Sequence, residues 1–334
     1  MTTPACALEV RNLVVEVTTG SAPIRLIDDI SFQVMAGGTL AIVGESGCGK
    51  SMTALSMMRI LPEPEVRIAA GNILLDGEDL AAASESRLCE LRNGAISIIF
   101  QDPIASLNPV HTIGQQIIEA IRSHHEVSHS QAREQAIALL RDVHFPDPEQ
   151  RIDYFPHRLS GGMCQRVMIA MALASNPRVL IADEPTTALD TTVQAQVMAL
   201  LKNAQRDTGT AIILITHNLA VAAEAAQNVA VMYAGRIVES GPVHAVFKRP
   251  RHPYTRGLLA AIPRGEDEAD AADIARLVEI PGNVPRPGDL PPGCAFGPRC
   301  PRAQRRCKEE RPELSSDDDG RTTACFYPHT GALS

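Results

Sequence analysis

Eight consecutive residues, Gly44-Glu45-Ser46-Gly47-Cys48-Gly49-Lys50-Ser51, join three glycines to a lysine and a hydroxyl. Glycines at this density let successive backbone N–H groups turn towards one point, and such a nest of donors holds an anion. Lys50 adds a compact positive charge for the β- and γ-phosphates of a nucleoside triphosphate, and Ser51 offers a hydroxyl to Mg²⁺. Gly44, Ser46, Gly47, Cys48 and Gly49 would then cradle the nucleotide. A plain strand-to-helix turn would rarely carry so many glycines together with that lysine and serine. Farther along, the apolar run Val179-Leu180-Ile181-Ala182 ends in Asp183-Glu184. A buried strand of this kind delivers Asp183 towards Mg²⁺ and leaves Glu184 where it can polarise a water at the γ-phosphate. A capped strand end is the plainer reading of the pair, but the glycine loop upstream argues against it.

A third constellation consists of thiols. Four of the eight cysteines, Cys294, Cys300, Cys307 and Cys325, cluster with 5, 6 and 17 residues between them. The surrounding segment is rich in Pro and Gly and short of the apolar residues needed for a core of its own, so a metal centre could replace that core. Structural zinc usually employs at least one pair with two to four intervening residues, which is absent, whereas a four-cysteine iron–sulfur cluster accepts wider spacing. The order of preference is therefore cluster, then zinc, then unliganded thiols. Cys48 beside Lys50 near a helix N-terminus is in a setting that lowers a thiol pKa; a small residue filling a serine position is the simpler reading. His124, His125 and His129 suggest a solvated helix face, because no Cys or carboxylate accompanies them at ligand spacing.

Elements must position these groups. Leu8 to Val17 and Ile24 to Val34 alternate apolar and polar residues as half-buried strands do, which predicts an antiparallel opening layer. Met52 to Leu61 reads as a helix stopped by Pro62 and Pro64, Asn72 to Leu75 as a strand, and Ile96 to Phe100 as a buried strand. From about 103 to 175 the apolar residues recur at helical spacing, marking an inserted helical subdomain. Strand and helix then alternate through Val179 to Ala182, Thr192 to Gln205, Ala211 to Ile215 and a helix from Asn218, which implies a largely parallel sheet. A chain of 334 residues is long for one core, and an acidic stretch between Arg264 and Asp273 suggests a boundary. The expected organisation is a nucleotide-binding cassette over 1–262, then a linker and cysteine-rich, metal-binding extension over 263–334. A net charge of −8 and 3% aromatic content without Trp argue against a nucleic-acid partner. No apolar stretch has the length of a membrane span, and Met1-Thr2-Thr3-Pro4 has no signal-peptide character. The expectation is a cytosolic protein that reaches a membrane only through a protein partner.

Leu159-Ser160-Gly161-Gly162-Met163 lies between the glycine loop and the paired carboxylates, with Gln101 after an earlier strand, Ala188-Leu189-Asp190 after the carboxylates and Thr216-His217 after the next strand. Together these resemble the ATP-binding cassette of ABC transporters over roughly residues 8 to 262. The fold implied is α/β: an ABC-type P-loop ATPase with an antiparallel β subdomain, an inserted helical subdomain and a small cysteine-bearing C-terminal extension. The resemblance implies Walker A at Gly44 to Ser51, the Q-loop at Gln101, the signature at Leu159 to Met163, Walker B ending at Asp183, the D-loop at Asp190 and the switch histidine at His217. It further implies that two cassettes bind head to tail, so Ser160, Gly161 and Gly162 of one face the ATP held by the other. Gln101 would join Ser51 and Asp183 at Mg²⁺, Glu184 would be the general base, and His217 and Gln101 would complete the catalytic set.

Phe100-Gln101-Asp102-Pro103, Ser106-Leu107-Asn108-Pro109, Met232-Tyr233-Ala234-Gly235-Arg236 and Arg251-His252-Pro253-Tyr254-Thr255, with a tail from Pro281-Gly282, are similar to the ATP-binding subunits of dipeptide and oligopeptide importers. That resemblance implies a second ABC ATPase subunit, either a copy or a related chain, two membrane permease subunits and an extracytoplasmic peptide-binding protein. It places the chain peripherally on the cytoplasmic face of a bacterial inner membrane. It also favours a [4Fe-4S] cluster on the four cysteines, with zinc as the alternative. Importers of nickel or glutathione remain alternatives, as does a soluble ABC ATPase acting on DNA or ribosomes, although no coiled-coil arms, zinc modules or second cassette accompany the motifs. Val17 stands where the family commonly has an adenine-stacking aromatic, Asn218 where aspartate is usual, and Cys48 and Cys164 where Ser and Arg or Gln are frequent.

Overall fold

The computed structural model describes residues 5–18, 20, 22–186, 191–261, 280–317 and 319–331. Strands β1 (Cys6–Thr18) and β2 (Pro23–Met35) pair antiparallel, with Val10 opposite Phe32 and Val17 opposite Ile24. β1 also pairs with β4 (Val66–Leu75), and the two-residue β5 (Glu78–Asp79) closes a four-stranded sheet in the order β2-β1-β4-β5. Leu8, Val10, Leu13 and Val15 turn into the core. The register slips between Val10 and Leu13, where Asn12 adopts a φ of 47°, and this bulge interrupts the strict alternation.

The second sheet runs β11-β12-β10-β9-β3-β8-β7-β6. Its central strands are β3 (Thr39–Val43), β6 (Ile96–Ile99), β7 (Val179–Asp183), β8 (Ala211–Thr216) and β9 (Asn228–Tyr233), all parallel to their neighbours within that group. Every residue of β3, β6, β7 and β8 is buried, as expected where both faces of a parallel sheet are covered. In register, Val43 lies opposite Thr216 and Asp183 opposite Ile215, so the glycine loop, the paired carboxylates and His217 all leave the sheet at the same edge. Ligands bind parallel sheets at that carboxyl edge.

The helical subdomain contains Ile113–Arg122, His129–Asp142 and Gly161–Leu173, with short turns of helix at Pro103–Ser106 and Pro148–Arg151. Capping boxes start the first two: Thr112 with Gln115, and Ser128 with Gln131. Ile113, Ile117, Ile118 and Ile121 pack with Ala132, Ala136 and Leu140 in one apolar cluster. The helix after the glycine loop is shorter than its sequence pattern implies. It spans Lys50–Met57 and ends at Met58, because Arg59 turns to a φ of 53° before the prolines are reached.

The C-terminal extension does not need a core of its own. β12 (Thr322–Thr323) pairs antiparallel with β10 (Arg236–Pro242), placing Thr323 opposite Glu239, and β11 (Ser315–Ser316) pairs with β12. Phe296, 3% exposed, packs among Tyr233, Tyr254 and His252, with ring centroids 5.3, 5.4 and 5.8 Å away. The premise that the segment lacks a core which a metal centre could replace is thus corrected: this segment borrows apolar surface from the cassette. The linker expected from residue 263 lies outside the described residues up to 279.

Candidate nucleotide site

Gly49 caps the Lys50–Met57 helix at a φ of 107°, and a Cβ there would approach Ile27 Cδ1 to 2.7 Å and Met232 Cε to 3.0 Å. A side chain at Gly44 would meet the Met232 carbonyl oxygen at 2.3 Å. Both positions therefore require glycine, for conformation and for space. The Lys50 ammonium is buried over the loop and donates to the carbonyls of Gly44 (2.8 Å) and Glu45 (3.0 Å). Ser51 follows on the same helix with its side chain exposed. Cys48 is 1% exposed, and burial pushes its thiol up, ahead of the opposing pull of Lys50. The small-filler reading of this cysteine fits that setting better than an activated thiol.

Asp183 closes β7 almost fully buried, and its Oδ1 has no hydrogen-bond partner among the described residues. Burial raises its carboxyl above the usual aspartate range and the charge of Glu184 adds to the rise, while a hydrogen bond from Ser51 and the charge of Lys50 oppose it. An orphaned carboxylate oxygen beside a serine hydroxyl is the oxygen-rich donor set a hard divalent cation takes. Glu184 turns back at a φ of 48° as its N–H donates to Ile215 O at 2.9 Å. Gln101 Nε2 donates to Glu184 Oε2 at 3.0 Å, and His217 Nδ1 lies 3.2 Å from Oε1. The ends of β6, β7 and β8 thus bring Gln101, Glu184 and His217 together. Asn218 accepts from the N–H groups of Ala220 and Val221, the capping an aspartate would provide, so this departure leaves His217 supported.

Ser160 caps the Gly161–Leu173 helix by accepting from Met163 N at 3.3 Å. Ser160 and Gly161 are exposed and Gly162 half-buried, and a Cβ at Gly161 would meet nothing within 4 Å. The open end of a 13-residue helix is suited to an anion supplied from outside this chain. Asp190 lies outside the described residues. Val17 is half-buried beside Ile24 on β2. His125 and His129 are exposed and His124 is half-buried.

Cys294, Cys300, Cys307 and Cys325 line one cavity of about 20 Å³, room for a single water-sized species. Among the described residues, no group of three or more His, Cys, Asp or Glu is arranged to hold a metal ion. The four thiols share one cavity, but the expectation of a metal centre on them is not supported by their arrangement. Burial raises Cys294, Cys300 and Cys325 above the usual thiol range, Cys325 to about 11.

One constellation escaped the sequence reading. Arg299, 5% exposed at its side chain, forks onto the Glu45 carboxylate at 2.7 and 2.9 Å, and the Tyr254 hydroxyl accepts from Glu45 N at 2.8 Å. The pair is separated by 254 positions. No local spacing signals it; the only hint is an arginine in the midst of the thiols.

Residues 27–187 match the ABC transporter family model, and residues 238–307 match that of the oligopeptide/dipeptide transporter C-terminal region. The dipeptide transport ATP-binding protein DppD of Escherichia coli (strain K12) is 49% identical over 321 residues, 96% of each chain. This chain belongs to the ABC transporter ATP-binding proteins of the oligopeptide/dipeptide group. The oligopeptide transport ATP-binding protein AppD of Bacillus subtilis (strain 168) is 48% identical over 97% of this chain and 98% of its own. Among solved structures, the dimeric bacterial ABC transporter cassette MJ0796 superimposes with a TM-score of 0.64 at 25% identity, over 71% of this ABC protein and 98% of its own length.

Proposed function

We propose that this ABC protein hydrolyses ATP to power uptake of di- or oligopeptides through a separate membrane permease. The observation that carries the reading is the meeting of Gln101, Glu184 and His217 beside the unpartnered Asp183 oxygen at the edge that holds the glycine loop. Ser51, Asp183 and Gln101 would hold Mg²⁺, which neutralises charge on the β- and γ-phosphates when bound. Lys50 exchanges its carbonyl partners for phosphate oxygens. Glu184, held by Gln101 and His217, takes the proton of the attacking water. Ser160, Gly161 and Gly162 serve the ATP of a second cassette, either a copy of this chain or a related one. The peptide substrate rests on the likeness to DppD and AppD and on the matched C-terminal region. Permease docking is supported by the exposed apolar side chains of Ile104 and Val110, which follow Gln101 into the helical subdomain. No helix among the described residues is long and apolar enough to cross a membrane, and we place the chain on the cytoplasmic face through two permease subunits, with an extracytoplasmic peptide-binding protein completing the complex.

The four cysteines line one cavity of about 20 Å³, so an iron–sulfur centre, or zinc, would form only if the loops that carry them moved to bring the thiols to ligand spacing.

The complex reconstituted in lipid vesicles with its peptide-binding protein tests the function. Peptide should stimulate phosphate release and enter the vesicles, and Glu184→Gln should lower both roughly 10²- to 10⁴-fold while ATP affinity is kept. Near-normal turnover in Glu184→Gln would remove it as the base, and stimulation by nucleic acid or ribosomes in place of peptide would overturn the transport reading.

A further inference from the structure

Glu45 is an unfavourable residue to find in a loop built for a triphosphate. Its carboxylate carries the same sign of charge as the ligand the loop would hold, and like charges repel unless one is compensated. The compensating charge comes from the C-terminal extension. Arg299 lies in the turn Gly297–Arg299, directly before Cys300, and is nearly buried. Its guanidinium forks onto both Glu45 oxygens and also donates to the carbonyls of Pro281 (2.9 Å) and Ile280 (3.2 Å). Those carbonyls fix the fork within the extension, while Tyr254 fixes the Glu45 backbone from the cassette side. The Glu45 carbonyl in turn accepts from Lys50 Nζ. A continuous run of hydrogen bonds therefore joins the extension to the lysine of the glycine loop.

We propose that Arg299 is a positioning residue for the nucleotide site, neutralising and orienting Glu45, and that through this pair ATP binding and the seating of the C-terminal extension are thermodynamically coupled. The inference rests on the glycine loop being the nucleotide site. Coupling of this kind is reciprocal: whatever factor the seated extension contributes to ATP affinity, bound ATP returns to the seating of the extension. A lysine at position 299 would keep the charge but lose the planar fork, so it substitutes only in part.

The test measures ATP affinity by titration with a fluorescent ATP analogue on the full chain, and hydrogen exchange of residues 280–317 with and without MgATP. Arg299→Gln should weaken binding roughly 5- to 150-fold, the usual span of such couplings, and Arg299→Lys should fall between it and wild type. Glu45→Gln alone should bind ATP about as well as wild type or better, yet lose the ATP-induced protection of the extension. Combining Glu45→Gln with Arg299→Gln should restore most of the lost affinity, because the repelling charge is gone. A double variant as weak as Arg299→Gln would show that only the fold was damaged and would overturn the proposal. Unchanged affinity in Arg299→Gln, or extension protection by ATP that survives in Glu45→Gln, would overturn it equally. Should Arg299→Gln fail to fold, the protection measured in Glu45→Gln decides alone. Lys50→Ala separates the two readings: if it binds the analogue as wild type does, the nucleotide site itself is misassigned, whereas its loss beside an unaffected Arg299→Gln rejects only the coupling.

Discussion

A buried carboxylate oxygen without a hydrogen bond is costly, and Asp183 keeps one at the end of β7 that has no partner among the described residues. Its carboxyl is raised by burial first and by Glu184 second. A carboxyl raised on folding contributes stability only while protonated; that contribution is lost as pH climbs from the ordinary aspartate range, about 4, through the raised value. Asp183→Asn should therefore melt higher than wild type near pH 7 in the absence of nucleotide, with the gap narrowing in acid, while the Mg²⁺-dependent part of nucleotide stabilisation disappears. Melting curves at pH 5 and pH 8 check both; an Asn variant that is no more stable and still responds to Mg²⁺ would remove Asp183 from the cation site. Lys50, Ser51, Asp183 and Glu184 were legible because each sits at a fixed offset from a strand that its own neighbours specify. The contact of Gln101 and His217 with Glu184 required the sheet order, which spacing does not contain; family resemblance supplied only that the three act together. Arg299 was missed because its partner is distant in sequence.

At the scale of elements, β6, β7 and β8 were readable as short apolar runs, and the helical subdomain from its apolar spacing. β9 and β10 were not foreseen as strands, although Asn228–Tyr233 is an apolar run, because no site motif drew them out. Antiparallel β10 forms the edge to which β12 adds, so a two-residue strand gains meaning only from a partner it meets late in the chain. Arg321 reinforces that seam by donating to the carbonyls of Ala245 (3.2 Å) and Arg249 (2.9 Å). Seated this way, the extension does not need metal to pack, which bears on the thiols. Cys307→Ser should lower iron or zinc content of anaerobically purified protein, about four iron atoms per chain being expected for a cubane held by four cysteines. It should loosen the loops around the thiols, read as faster proteolysis within residues 293–310, while β12 stays paired. Wild-type protein that purifies anaerobically without metal, its residues 293–310 as resistant as the rest of the extension, would contradict a metal centre.

For the whole molecule, the fold follows from three apolar clusters that meet at the sheet: one under the antiparallel layer, one under the helical subdomain, and one that includes Phe296 of the extension. The first two were foreseeable from periodicity, the third only from the aromatic cage of Tyr233, Tyr254 and His252 that Phe296 completes. The glycine loop lies against all this structure: Gly44 and Gly49 abut Met232, and Glu45 meets the extension. A ligand that binds the loop therefore stabilises the chain as a unit, by about 2.7 kcal/mol when its free concentration is a hundred times its Kd. Thermal unfolding with and without saturating MgATP, in wild type and in Lys50→Ala, measures this directly. The account predicts a rise of several degrees in the wild-type Tm and little or none in Lys50→Ala; equal rises in the two proteins would contradict it.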